Sequence, residues 1–314
     1  MKILILGATG LLGSSLKSVL DKDHNHLLIP SRQVLDLTIS NDIEQYLRVC
    51  KPDIIINCAA RVGGLYSQIR LPASYLHDNL IITDCIFEAV KNASPSSFLI
   101  NFLSTCCFPA SVSYPITPEQ LHMGPPHHTN SSYSYAKRMI DIYAQSYYSE
   151  FGISSALFIL GNLFGPHDNF GDPENAHVIP SLISKAHAAR KAGNKSYEIY
   201  GDGKPLREFL YVEDASKCIS LYLSTIESGQ EPEVLLFSNP NEVSILNLAT
   251  LIGKIVSPSN PLTVTTSSES EQGQLKKPSD TSAKLQKLFG NEDFTPLEES
   301  LRTVYKSYID YYTD

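Results

Sequence analysis

No apolar run in the 314-residue chain approaches the roughly 18 residues needed to span a bilayer. No block of basic residues interrupts a net charge of −8, which excludes the electrostatic footprint of a non-specific nucleic-acid binder. Six cysteines stand at 50, 58, 85, 106, 107 and 218, with neither zinc-type pairing nor the density of a disulfide scaffold. The apolar start MKILIL is too short for a secretory leader, and glycines follow where a cleavage region would lie. Internal repeats and low-complexity tails are missing as well. These absences lead to the expectation of a cytoplasmic globular protein with reduced thiols, partnered by neither membrane nor nucleic acid.

What is present is an alternation. Apolar runs at 2–6, 26–30, 53–57, 98–103 and 155–160 are separated by helical patterns near 10–21, 41–50, 78–92 and 132–150. Continuous apolar strands divided by helices predict an α/β fold, a doubly wound parallel sheet of the Rossmann type covered on both faces. Beyond about residue 165 the regularity fades, with helical patterns at 212–225 and 244–256 and a polar surface loop at 267–280. The expected division is a dinucleotide-binding domain over 1–165, to which the chain returns around 210–240, and a smaller C-terminal α/β substrate domain over 166–314.

Gly7, Gly10 and Gly13 follow the first strand directly and lead into the first helix. Such a triplet permits a tight turn and lets a pyrophosphate approach the positive end of the helix. An acid at the end of the second strand would accept the ribose hydroxyls of NAD. Here Ser31 and Arg32 stand instead, and a guanidinium pairs with the 2′-phosphate of NADP. Asp36 and Leu37 follow where the adenine edge would come.

Tyr133 and Lys137 are four residues apart in a helical pattern, hence on one face, where an ammonium would lower the phenol pKa. Tyr135 and Arg138 mimic part of that pair one register away. Ser104 closes the fourth strand, and Ser, Tyr and Lys on such a sheet resemble the triad of the short-chain dehydrogenase/reductases. No acid pair follows Ser104, which disfavours a dehydratase. Cys106 and Cys107 read either as small packing residues or as a thiol able to take a proton beside a ketone.

Taken together, AARVGGL (59–65), LSTCCFP (103–109), PPHHTNSSYSYAKRMID (125–141), NLFGPHDNF (162–170), HVIP (177–180), GDGKPLREFLYVED (201–214) and GQLKKPSD (273–280) resemble the GDP-L-fucose synthase family of extended short-chain dehydrogenase/reductases, from the first strand to the end of the chain. The resemblance implies a homodimeric, NADPH-dependent epimerase-reductase that acts on GDP-4-keto-6-deoxy-D-mannose. By position it implies Ser104, Tyr133 and Lys137 as the reductase triad and Cys106 and His177 as the epimerase base and acid. His167 is the alternative acid, and Cys107 receives no role. Cofactor contacts fall on Gly7, Thr9, Gly10, Leu11, Leu12, Gly13, Arg32, Asp36, Leu37, Ala59, Ala60, Tyr133, Lys137, Asn162 and Leu163. Substrate contacts fall on Thr105, Asn162, Val178, Tyr200, Arg207 and Lys277. The chain departs from the family pattern in three places. Thr9 replaces an arginine of some relatives, Tyr200 replaces a tryptophan, and FILGN lacks a common Pro-Thr before Leu163. His122, His127 and His128 form no metal set with nearby carboxylates, and the implied chemistry needs no metal.

Overall fold

The computed structural model of the chain describes residues 1–23, 26–171, 176–267 and 278–312. The apolar runs of the first half become β1 (Lys2–Leu6), β2 (His26–Leu28), β3 (Ile54–Asn57), β4 (Phe98–Ser104) and β5 (Ser155–Leu160). Between them lie α1 (Leu11–Lys22), α2 (Ser40–Cys50), the short α3 (Leu65–Arg70), α4 (Pro72–Ala93) and α5 (Ser131–Phe151). Proline at the first position of α4 starts that helix six residues before the apolar periodicity becomes regular, because a missing N–H costs nothing there.

The second half holds β6 (Asn162–Phe164), α6 (Val178–Lys191), β7 (Ser196–Ile199), β8 (Leu206–Tyr211) and α7 (Val212–Leu223). It continues through β9 (Glu233–Phe237), β10 (Glu242–Ser244), α8 (Ile245–Val256), β11 (Thr263–Thr266), α9 (Ala283–Leu288) and α10 (Leu297–Tyr312).

Six strands form one sheet in the order β2-β1-β3-β4-β5-β9, parallel throughout. Period-2 alternation sends Ile3 and Ile5 to one face, with Ile54, Phe158 and Tyr222, and Leu4 and Leu6 to the other, with Ile55, Phe87 and Ile140. The chain leaves β1 for β2 on one side and reaches β3 on the other, so a crevice opens outside the carboxyl ends of β1 and β3. α7 packs against α1, where Ser216 donates to the Ser15 hydroxyl at 2.8 Å, and β9 pairs with β5.

A second core, built on Phe164, Ile179, Phe209, Leu248 and Val304, lies under two small sheets. One has the order β10-β8-β6, with β10 antiparallel and β6 parallel to β8; the other pairs β11 with β7 in parallel. These strands, along with α6 and α10, were not visible as periodic runs. Among the described residues no helix is long and apolar enough to cross a membrane.

Candidate active site

The glycine turn does three separate jobs. Gly7 has a φ of +75°, and a Cβ there would lie 2.8 Å from the Ala59 backbone nitrogen at the end of β3. A Cβ on Gly13 would strike the Gly7 carbonyl oxygen, so that glycine lets α1 pack onto the turn. Gly10 differs. Its Cβ would meet only the Gly7 carbonyl, at an ordinary 3.6 Å, so nothing in the protein's own packing demands a glycine there. It caps α1 with no side-chain hydrogen bond, which leaves the first N–H groups of the helix open to an anion. A cradle that a Cβ would fill, below bare helical N–H groups, fits the pyrophosphate of a dinucleotide. Thr9 is exposed on the lip of this cradle, while Leu11 and Leu12 begin the helix.

The opposite wall is held by amides. Asn57 of β3 donates to Asn101 of β4 at 3.0 Å and accepts the Ala59 N–H, turning the chain out of the sheet. Asn79 of α4 then grips Arg61 at both its N–H and its carbonyl, and this fixes Ala59 and Ala60 beside Gly7. Beyond β2, Arg32 is exposed in the turn that follows the strand. The Asp36 carboxylate accepts the Thr38 N–H and hydroxyl, and these, with the Arg32 charge, hold its pKa below the usual carboxylate range. Leu37 beside it is half-buried.

Ser104, Thr105, Cys106 and Cys107 explain why a core strand ends in hydroxyls and thiols. The chain does not stay extended there, as a strand end would. It winds into a 3₁₀ turn over Thr105–Cys107, whose Cys106 N–H donates to Ser104 Oγ at 3.3 Å. That bond uses the oxygen as acceptor and leaves the Ser104 hydroxyl hydrogen free to donate. Thr105 and Cys107 turn inward, whereas Cys106 stays half-exposed. Burial pushes the Cys107 thiol up to about 11.

α5 grips this turn along one helical face. Lys137 Nζ donates to the Phe102 carbonyl at 3.1 Å, Ser134 Oγ to the Cys106 carbonyl at 2.9 Å, and Arg138 to the carbonyls of Cys107 and Gly124. The two candidate pairs of α5 are thereby distinguished. Tyr133 and Lys137 are buried on the sheet side, whereas Tyr135 is exposed and Arg138 serves the turn. Tyr133 meets Tyr75 edge-on at 6.2 Å and lines a cavity of about 240 Å³ that reaches between Gln68 and His128.

The expectation for Tyr133 acidity needs correction. Burial is the largest influence and, together with the nearby thiols and Tyr75, lifts the phenol well above its ordinary pKa. Lys137 does not offset this, because its amine reaches the β4 backbone and is itself brought down by burial to about 8. The phenol therefore stays protonated, which is the form a proton donor needs.

The remaining candidates line the second half. His177 immediately precedes α6, half-exposed, with Val178 exposed beside it. Its Nδ1 lies 3.6 Å from the buried Asp168 carboxylate, and that partner raises the imidazole pKa against the opposing effect of burial. His167, the alternative acid, instead packs its ring 5.5 Å from that of Tyr311. Arg207 projects from β8, where burial lowers its pKa and the negative forms of Cys106 and Glu242 raise it, so it lies within electrostatic reach of the thiol. Asn162 donates to the Glu208 carbonyl at 2.8 Å, joining β6 to the strand of Arg207, and Leu163 follows half-buried. Tyr200, exposed after β7, carries the Lys185 ammonium 3.7 Å above its ring. Lys277 lies outside the described residues. Thus Ser104, Cys106, Tyr133 and Lys137 come together on one turn and one helix face. No hydrogen bond joins His177 to them. His122 and His127 are occupied locally, by Asp141 and Thr129.

The model of the NAD dependent epimerase/dehydratase family matches residues 3–236. The chain belongs to this family. Within it, the chain is 34% identical over 313 residues to a GDP-L-fucose synthase of Dictyostelium discoideum, covering 99% of this chain and 96% of that protein. A GDP-L-fucose synthase of Sinorhizobium fredii is 33% identical over 256 residues, 81% of this chain and 80% of that one. The crystal structure of a GDP-L-fucose synthetase from Naegleria fowleri bound to NADP has a TM-score of 0.87 at 31% identity, covering 99% of this chain and 93% of that chain.

Asp168 and Ser134 are not marked by the sequence, and the role of Arg138 on the turn is not either. The signal present is that Ser134 stands three residues before Lys137 and four before Arg138, spacings that mark one face of α5.

Proposed function

We propose that this protein converts GDP-4-keto-6-deoxy-D-mannose to GDP-L-fucose, first inverting C3 and C5 and then reducing the C4 ketone. The observation that carries the reading is one turn at the end of β4 holding two chemistries. The free Ser104 hydroxyl hydrogen and the protonated Tyr133 phenol make one donor pair, and two residues on is a half-exposed thiol, Cys106. NADPH, when bound, supplies the hydride.

This chain's residues supply the rest. Ser104 and Tyr133 hydrogen-bond the C4 oxygen, and negative charge gathers there as a proton leaves the neighbouring carbon. Cys106 takes that proton as thiolate, and His177 returns one from the opposite face. Tyr133 later gives its proton to the C4 oxygen, and Lys137, held on the Phe102 carbonyl, would contact the cofactor. Gly7, Gly10 and Gly13 with the start of α1 would hold the pyrophosphate, and Ala59, Ala60 and Leu163 would line the crevice. Thr105, Asn162, Val178, Tyr200, Arg207 and Lys277 would hold the sugar nucleotide. In this reading residues 1–165 with 212–237 serve the cofactor, and the rest of the chain serves the substrate. The protein would work in the cytoplasm. The test is NADPH consumption on addition of that sugar nucleotide. No consumption, together with oxidised cofactor that resists dialysis, would favour a cofactor-recycling 4-epimerase instead.

Arg32 would select the cofactor. Arg32→Ala is expected to weaken NADPH binding by about 1.5–3 kcal/mol through loss of a charge-assisted contact, with little change for NADH. Fluorescence titration with both cofactors measures this, and equal weakening would remove Arg32 as the discriminator.

A second copy of the chain is the proposed partner. Leu76, Tyr135, Met139 and Ile142 are 37–45% exposed on α4 and α5, an apolar face that a dimer would cover. Light scattering at micromolar concentration is expected to give twice the chain mass. The single-chain mass would contradict it.

A further inference from the structure

His177 would be a poor acid if left to its helix. It occupies the N-cap position of the 14-residue α6, and its side chain makes no capping bond to that helix. The positive end of the helix dipole disfavours a protonated imidazole at such a place, and partial burial disfavours it further. Neither nitrogen is oriented by the helix either, so the ring could present the wrong tautomer to the sugar.

Asp168 answers both difficulties. Its side chain is only 6% exposed, and one oxygen, Oδ1, lies 3.6 Å from His177 Nδ1. The same oxygen accepts the Asn169 N–H at 2.8 Å, and Asn169 Oδ1 in turn accepts the Gly171 N–H at 3.2 Å, bracing the loop from within. The preceding residue has the left-handed φ of +67°. That conformation turns the His167 ring out onto Tyr311 and the next side chain inward. Among the described residues Asp168 is the charged group that bears on the His177 ring.

We propose that Asp168 is the positioning residue of His177, holding its Nδ1–H so that Nε2 carries the proton delivered to the sugar carbon. This rests on the epimerase reading of the site and deepens it. The step balances within the chain. Cys106 begins as thiolate and His177 as imidazolium, and the pair ends as thiol and neutral imidazole after one proton is taken from carbon and one returned. Solvent then resets both. In the spent state the neutral ring keeps its Nδ1–H on the carboxylate, so the next proton again enters at Nε2. The GPHDN segment therefore contributes its aspartate to the reaction, while its histidine serves to shape the loop.

The test uses the full chain and its Asp168→Asn variant. Three quantities are read: the NMR titration of the His177 imidazole, deuterium uptake at C3 and C5 of GDP-4-keto-6-deoxy-D-mannose in heavy water, and oxidation of GDP-L-fucose by NADP+. Wild-type His177 is expected to titrate above the ordinary histidine value, and the variant lower than the wild type. Uptake is expected to fall roughly 10- to 100-fold, the range for losing a carboxylate that orients a metal-bound imidazole. GDP-L-fucose oxidation, which needs no epimerisation, stays at the wild-type rate. A merely structural loss would lower both activities together. An unmoved titration and unchanged uptake in the variant would overturn the proposal. If the variant does not fold, a wild-type His177 that titrates at or below the ordinary value overturns it as well. A wild type without uptake would overturn the epimerase reading, and the titration, which needs no substrate, would still decide the pair.

Discussion

Cys106→Ser is expected to stop deuterium uptake at C3 and C5, lowering it by roughly 10²–10⁴-fold, the range for loss of a general base. The substituted oxygen would occupy the same place. The Cys106 N–H still donates to Ser104, and the Cys106 carbonyl still accepts from Ser134, since both bonds use the backbone of that residue. Only the chemistry changes, because an alcohol is scarcely ionised at neutral pH whereas an ordinary thiol has a pKa of about 8.5. The donors to the C4 oxygen remain in place, so slow reduction of the unepimerised ketone is expected to persist and give a 6-deoxyhexose of the starting configuration. Cys107 provides the control. It is fully buried, and burial pushes its thiol up to about 11, so its thiolate is scarce at neutral pH. Cys107→Ala, which avoids burying a hydroxyl, is expected to keep both activities. Normal uptake in the Cys106 variant, or loss confined to the Cys107 variant, would reverse the assignment of the base.

Tyr133→Phe is expected to act in the opposite sense, lowering reduction by roughly 10²–10⁴-fold while proton exchange at C3 persists at a reduced rate. The ring would keep its edge-on contact with Tyr75, so the loss falls on the hydroxyl alone. Burial keeps that phenol protonated, whereas Ser104 is an alcohol and Lys137 Nζ is engaged with the Phe102 carbonyl. Ser104 still donates to the carbonyl, which is why exchange outlasts reduction. Stopped-flow reduction and NMR exchange on one protein sample measure the two rates. Parallel loss of both would show that Tyr133 is needed to stabilise the enolate rather than to deliver a proton.

Much of this arrangement was legible before any coordinates. β1, β3, β4 and β5 are continuous apolar runs that only a sheet covered on both faces can bury, and Gly7 and Gly13 mark a turn with no room for a side chain at either position. Four-residue spacing put Tyr133 and Lys137 on one face. Other features are made only by tertiary structure. β6 and β10 are three residues long, too short for any period to register, and pair with β8 across 47 and 36 residues, at Phe164–Tyr211 and Val243–Arg207. Arg138 reads only as part of a pair that mimics Tyr133 and Lys137, and its burial depends on the Cys107 and Gly124 carbonyls. Asp168 reaches His177 through a left-handed residue that no pattern announces. Spacing reports which face Lys137 occupies but not the β4 carbonyl it reaches, so the Tyr133 acidity depends on the folded packing.

The most direct measurement is an NMR analysis of the product formed from GDP-4-keto-6-deoxy-D-mannose and NADPH in heavy water. The account predicts GDP-L-fucose carrying deuterium at both C3 and C5, formed with one NADPH consumed per sugar. A reduced sugar that retains its original hydrogens and configuration at C3 and C5 would contradict it.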